Sequence, residues 1–297
     1  NVGILGCGRI SYRHVTAIIK NYKYYNLIAI CDINKSKLDN FKNLPVHKYT
    51  SLNEMLYNEN LDIISICTPN GLHAEHSMTA FKNKLHVICE KPMALKFKDG
   101  LKMCDQAKKM NLRVFVVKQN RLNPTIQHFS NLIKEKKLGK IYQISINLFW
   151  HRSQEYYDHD KWKGSEKLDG GAIMNQASHY IDLLVWLFGD IKSVFAYTSK
   201  TRKIESEDSA VVAIKWKNGS LGTLNVTMLT YDKNYEGSLT VIAEKGTIKI
   251  GGKALNKIEF LNFAEKKLIN KIKSKSYNPK DIYGNGHEKF YNQVALS

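Results

Sequence analysis

A chain of 297 residues, 43% of them hydrophobic with 16 Tyr and 11 Phe, is long enough for two packed domains and too apolar for a disordered polymer. No run approaches the roughly 18 consecutive apolar residues of a membrane span, and no charged-then-apolar leader opens the chain, so neither membrane nor secretion is expected. Lysine and arginine outnumber the acids 45 to 27, a formal charge of +18, but they are scattered among Asn and Ile, which points to solvated surface ahead of a nucleic-acid partner.

In chain order, residues 2–5, 27–31, 63–67, 85–89 and 114–117 are short apolar runs expected as buried strands. Helical patterns lie between them at 10–20, 34–42, 51–58, 71–83 and 96–110. Buried strands alternating with helices require right-handed crossovers, which gives a Rossmann-type, doubly wound parallel sheet over residues 1–120. After Pro124 the rhythm changes to a helix near 125–136, an alternating strand at 140–152 and a helix over 172–188. Strand-like runs then follow at 191–199, 208–216, 220–229, 237–243 and 247–250. Residues 121–297 therefore read as an α+β domain built on a large, open, mostly antiparallel sheet, and Lys266 to Lys275 as a basic surface loop. The overall class is α/β. Cys7, Cys31, Cys67, Cys89 and Cys104 lack CxxC spacing, and four of them lie in or beside strand runs. This suits reduced thiols in a cytoplasmic protein without a metal site. The chain opens inside a strand without Met and stops in a helical pattern, so both ends are expected to be cut short.

Gly6-Cys7-Gly8-Arg9-Ile10-Ser11 follows the first strand and opens the first helix. Glycines there let the backbone turn tightly and approach a pyrophosphate at a helix N-terminus, although Ser11 replaces the third glycine. Asp32, at the end of the second strand, suits the adenosine ribose hydroxyls and would repel a 2′-phosphate, favouring NAD over NADP; it could instead simply cap the next helix. Thr68-Pro69-Asn70-Gly71-Leu72-His73 and Glu90-Lys91-Pro92 end two further strands on the same rim. The expected cofactor-binding residues are therefore Gly6, Gly8, Arg9, Ile10, Asp32, Thr68, Asn70, His73, Glu90 and Lys91. A lysine at a desolvated strand end can stabilise an alkoxide as hydride leaves, while Glu90-Lys91 could also be an ordinary loop pair. In the second half, Asp169-Gly170-Gly171 precedes a pattern in which Asn175, Gln176, His179 and Asp182 share one helical face. His179 is the candidate general base.

With these motifs in this order, the chain resembles the glucose-fructose oxidoreductase/inositol dehydrogenase (Gfo/Idh/MocA) family over nearly its whole length. The resemblance implies NAD as cofactor, Lys91 as the catalytic lysine and His179 as its partner. The family's Asp-x-x-x-His is here Asn175-x-x-x-His179, and an amide cannot share a proton as a carboxylate does. Val117 to Pro124, Phe149-Trp150-His151-Arg152, Tyr156-Tyr157, Trp162-Lys163-Gly164 and Gln176-Ala177-Ser178-His179 are similar to a narrower branch, the bacterial UDP-N-acetylglucosaminuronate 3-dehydrogenases of surface polysaccharide (O-antigen, lipopolysaccharide) synthesis. That branch also lacks the Asp.

The branch implies oxidation of a sugar 3-hydroxyl, an aminotransferase acting next and 2-oxoglutarate as oxidant. It places Gln119 with the cofactor and Asn175, Arg121, Arg152, Lys163 and Gln176 with the substrate, where Arg can grip a carboxylate bidentately. Tyr156, Tyr157 and Trp162 could equally be interface core, because a homo-oligomer, dimer or tetramer, is implied. Two alternatives stay open: an NAD-dependent dehydrogenase of a free sugar or polyol such as inositol, and a non-catalytic NAD-sensing protein.

Overall fold

The computed structural model describes residues 1–279, 283–284 and 286–297. They form two compact units, residues 1–117 with 287–297, and residues 118–286.

The first unit is built on six parallel strands in the order β3-β2-β1-β4-β5-β6: β1 (Val2–Leu5), β2 (Leu27–Cys31), β3 (His47–Tyr49), β4 (Ile63–Ile66), β5 (His86–Cys89) and β6 (Val114–Val116). The crossovers contain α1 (Ser11–Lys20), α2 (Lys35–Asp39), α3 (Leu52–Asn58), α4 (His73–Lys82) and α5 (Phe97–Lys109). Strand side chains alternate between two buried clusters. Val2, Ile4, Ile30, Ile63 and Ile88 pack with Val15, Ile18 and Leu38 on one side, while Leu5, Ala29, Ile64, Ile66 and Val87 pack with Met55, Phe81 and Met103 on the other. A sheet covered on both faces explains why its strands read as continuous apolar runs. Strand order reverses between β1 and β4, so the loops after these two strands diverge there and leave a crevice at their carboxyl ends.

The second unit contains α6 (Pro124–Lys134), β7 (Ile141–Phe149), α7 (Gln154–Asp158), α8 (Gly171–Met174) and α9 (Ser178–Phe188), then β8 (Ile191–Ser199), β9 (Ser209–Trp216), β10 (Leu221–Thr227), β11 (Glu236–Ala243), β12 (Gly246–Gly251), β13 (Lys257–Phe263) and α10 (Lys266–Lys273). Its seven strands run in the order β13-β12-β11-β7-β10-β9-β8, antiparallel except between β7 and β10. One sheet face packs on α6 and α9 around Trp216, Phe129 and Phe188.

Four features differ from the sequence expectations. Strands β3 and β13 fall outside the expected runs; β3 is three mostly exposed residues, and β13, Lys257–Phe263, lies beyond the last run at 247–250. The helix expected over 172–188 is two helices, α8 and α9, broken at residues 175–177. Residues 266–273 are a helix and no loop, because Ile269 and Ile272 pack on the core. Finally, α11 (Gly286–Ala295) returns from His287 onward to the first unit, where Tyr291 is fully buried beside Val2 and Ile4, so the second domain does not run to residue 297.

Candidate active site

In the first unit the chain leaves β1 through Gly6, whose N–H donates to the Cys31 carbonyl at 2.8 Å. Its φ is +94°, and an added Cβ would lie 2.7 Å from the Cys67 backbone, so only glycine fits. No atom lies within 4 Å of where a Gly8 Cβ would be, which leaves space above the loop at the start of α1. The Ser11 hydroxyl, in place of the third glycine, donates to the Gly8 carbonyl at 2.6 Å and closes the turn. Asp32 is buried and aimed at the same loop: Oδ2 accepts from Cys7 N at 2.8 Å and Oδ1 from Asn34 N at 2.9 Å, leaving lone pairs for further donors. Burial, reinforced by the Asp32 charge, raises the Cys7 and Cys31 thiols to about 12, so both stay protonated and inert. A turn with open space over Gly8, a helix N-terminus and a fixed carboxylate form a cradle that fits a dinucleotide.

The loops after β4 and β5 form the rest of this rim. Thr68 Oγ1 lies 3.0 Å from His76 Nδ1, and the turn Asn70–Leu72 leads into α4. His73 has both ring nitrogens on backbone oxygens, Nδ1 at 2.7 Å from the Pro92 carbonyl and Nε2 at 2.9 Å from that of Thr68. Burial lowers its pKa, opposed by these two carbonyls. Lys91 is half-buried at the end of β5, and its N–H donates to Glu90 Oε2 at 3.1 Å.

Behind it lies a network that the sequence reading missed. Glu90 Oε1 is 2.9 Å from His14 Nε2 and 3.6 Å from His287 Nε2. His14 Nδ1 is 2.8 Å from both the Tyr291 hydroxyl and Ser65 Oγ. Burial pushes the Glu90 carboxyl up, but the hydrogen bond from His14 and the nearby His287 outweigh it and hold the group well below the usual range. Arg9 and Ile10 occupy the turn before α1, where the glycine motif puts them.

In the second unit, the turn Gln119–Leu122 and α9 bring four of the singled-out residues together. Gln119 Nε2 is 3.3 Å from His179 Nε2. Arg121 is bidentate to Asp182, at 2.7 and 2.6 Å, and its guanidinium lies 5.3 Å from the Trp186 ring centre. Lys118 Nζ is 3.6 Å from the same carboxylate.

Around the α8–α9 break a second set gathers. Asp169 is buried and accepts from Asn175 Nδ2 at 2.5 Å and from Gly164 N at 2.8 Å, so Asn175 sits in the turn with its amide anchored. Gln176 is buried beside it in sequence. Lys163 Nζ pairs with Asp160 at 2.7 Å and lies 4.1 Å from the Tyr156 ring centre. Arg152 stacks 5.2 Å from both Trp150 and Tyr156, and its polar contacts are the neutral His151 carbonyl and Asn234 side chain. Arg121 and Lys163 each have an acid already, whereas Arg152 has no ion pair among the described residues.

Comparison with known proteins decides the lineage. The model described as "Oxidoreductase family, NAD-binding Rossmann fold" matches residues 1–118, and the "GFO/IDH/MocA C-terminal domain" model matches residues 126–249. The chain belongs to the Gfo/Idh/MocA oxidoreductase family. Like that family it is an NAD-dependent oxidoreductase, and NAD is its cofactor. The WlbA dehydrogenase of Chromobacterium violaceum, solved in complex with NADH and UDP-GlcNAcA, is 43% identical, with a TM-score of 0.92 over 99% of this chain and 84% of its own. The WlbA dehydrogenase of Bordetella pertussis, solved with the same two molecules, is 42% identical, with a TM-score of 0.89 over 99% of this chain and 86% of its own. Among curated relatives, the myo-inositol 2-dehydrogenase of Thermotoga maritima is 27% identical over 259 residues, 83% of this chain and 74% of its own. No helix among the described residues is long and apolar enough to cross a membrane.

Proposed function

We propose that this Gfo/Idh/MocA member is a sugar dehydrogenase that oxidises the 3-hydroxyl of a UDP-activated N-acetylhexuronate, UDP-N-acetylglucosaminuronate, to the 3-ketone. The observation that carries this reading is the 43% identity, over 99% of the chain, to a dehydrogenase crystallised with NADH and UDP-GlcNAcA.

Bound NAD supplies the hydride acceptor. Gly6, Gly8 and Asp32 hold its pyrophosphate and ribose ends. The Lys91 ammonium meets the reacting hydroxyl oxygen and stabilises the negative charge that grows there as the C3 hydride leaves with its electron pair. His179, oriented by Gln119, takes the hydroxyl proton onto its ring. Asn175, tethered to Asp169, positions a sugar hydroxyl without exchanging protons, which leaves acid–base work to Lys91 and His179. Arg152 is the cation best placed to receive the uronate: its planar fork suits a carboxylate, and no acid among the described residues pairs with it.

The reading extends to context. A 3-ketone is the substrate form for an aminotransferase, in keeping with surface-polysaccharide sugar synthesis in the cytoplasm, and 2-oxoglutarate is the oxidant that regenerates NAD. A homo-oligomer completes the proposal. The experiment that tests the chemistry is isolation of the product after incubation with NAD, followed by borodeuteride reduction. Deuterium at C3 of the sugar supports the reading, whereas deuterium at any other carbon contradicts it.

The T. maritima relative favours a second reading, oxidation of a free polyol. Turnover of myo-inositol at a kcat/KM above that of the UDP-sugar would replace the first reading with this one.

A further inference from the structure

Lys91 is flanked in sequence by two groups that buried side chains grip from opposite directions. Upstream, Glu90 is only 5% exposed; one carboxylate oxygen accepts the Lys91 N–H at 3.1 Å and the other lies 2.9 Å from His14 Nε2. His14 is in turn braced by Ser65 of β4 and Tyr291 of α11, each at 2.8 Å. Downstream, the Pro92 carbonyl lies 2.7 Å from Nδ1 of the fully buried His73, whose Nε2 reaches the Thr68 carbonyl at 2.9 Å. His73 is the first residue of α4, so it staples the loop after β5 to both the loop after β4 and a helix.

We propose that His73 and Glu90 are positioning residues that fix the backbone of Lys91, His73 by holding Pro92 to the β4 loop and Glu90 by holding the lysine's own amide. This rests on Lys91 meeting the reacting hydroxyl. The physical motive is the side chain itself. A lysine is a flexible four-carbon stem with many rotamers, and a misplacement of about 1 Å at a reacting centre costs on the order of 100-fold in rate. Fixing the backbone on both sides removes one source of that misplacement and leaves only the side chain's own rotations to be ordered by substrate and cofactor. The sequence motifs suggest cofactor contacts for His73 and Glu90, but the structure occupies His73's two nitrogens and Glu90's two oxygens with protein groups.

Two substitutions separate positioning from bulk structure. Asn at position 73 can reproduce the Nδ1 bond to Pro92, while Gln reproduces the Nε2 bond to Thr68. The measurement is kcat, KM and NAD affinity for His73→Asn, His73→Gln and Glu90→Gln, with Lys91→Ala alongside. His73→Gln should lower kcat by about 10- to 100-fold with KM and NAD affinity within about threefold of the parent, and His73→Asn should retain clearly more turnover.

Parent-like kcat in His73→Gln, or parallel loss of kcat and NAD affinity in both variants, overturns the proposal. If Lys91→Ala keeps full turnover, the Lys91 reading itself fails; if Lys91→Ala is dead and His73→Gln is normal, only the positioning role falls. A substrate-free readout stands beside these: the 13C-dimethyl resonance of Lys91 after reductive methylation, assigned by its loss in Lys91→Arg. It should shift in His73→Gln and Glu90→Gln, and an unmoved resonance in both is the contrary result.

Discussion

Asp32 spends one lone pair of each oxygen on the backbone N–H groups of Cys7 and Asn34 and keeps the remainder for ribose hydroxyls. Hydrogen bonds to a charged group contribute about 1.5–3 kcal/mol, so Asp32→Ala should weaken NAD binding by about tenfold or more and narrow its preference over NADP, read by calorimetric titration. Unchanged selectivity would remove Asp32 from the cofactor site. Arg152→Ala should raise KM for the uronate by about tenfold or more and leave kcat nearly unchanged, since a carboxylate remote from C3 is bound equally in ground and transition states. A selective fall in kcat would contradict that role. The glycine turn, Asp32 and Lys91 were legible because each lies within a few residues of a strand end. The Glu90 network was not, because His14 and Tyr291 stand 277 positions apart and only the fold brings them together. Arg121 and Arg152 looked equivalent in sequence; Asp182 separates them.

At the scale of elements, a buried histidine makes the first unit sensitive to acid. Burial lowers the pKa of His287 in the folded chain. The unfolded chain takes up that proton near pH 6.5, the folded one only at lower pH, so its contribution is complete above about pH 6.5 and declines as the pH falls below it. The melting temperature should therefore drop between pH 7.5 and pH 5.5, and a flat profile would count against a neutral, buried His287. In the second unit, Trp216 is fully buried with its ring 6.2 Å from that of Phe188. Trp216→Ala should cost about 3–5 kcal/mol in denaturant unfolding; a cost under about 1 kcal/mol would show that it is not central to the core.

Long periodic elements were readable from their side-chain pattern, whereas β3, only three residues and mostly exposed, carries none. The α8–α9 break was hidden for a different reason: the apolar period runs on through Asn175, and only its bond back to Asp169 marks the turn. In α10, Ile269 and Ile272 are spaced as one helical face, but five lysines between 266 and 275 mask it.

For the whole molecule, the alternation in β9 places Val212, Ile214 and Trp216 in the core and Val211 on the opposite face, where Phe195 and Tyr197 of β8 are also 62% and 73% exposed. An apolar sheet face of this kind fits burial against a second copy. Phe195→Lys with Tyr197→Lys should shift the mass in light scattering toward the monomer, and a parent chain already monomeric would refute the oligomer. The two-domain plan and its two sheet types follow from the change of hydrophobic period after residue 120, while the return of the last helix to the first unit could not, since an apolar helical stripe does not name the surface it covers.

The central claim is hydride transfer from a UDP-N-acetylhexuronate to NAD. The direct measurement is the reduced-nicotinamide absorbance on mixing the protein and NAD with UDP-N-acetylglucosaminuronate, with and without 2-oxoglutarate. The account predicts a rise without 2-oxoglutarate, or sustained 3-keto product when it is present, and loss of both in Lys91→Ala. Tight NAD binding with no absorbance change and no product under either condition would contradict it.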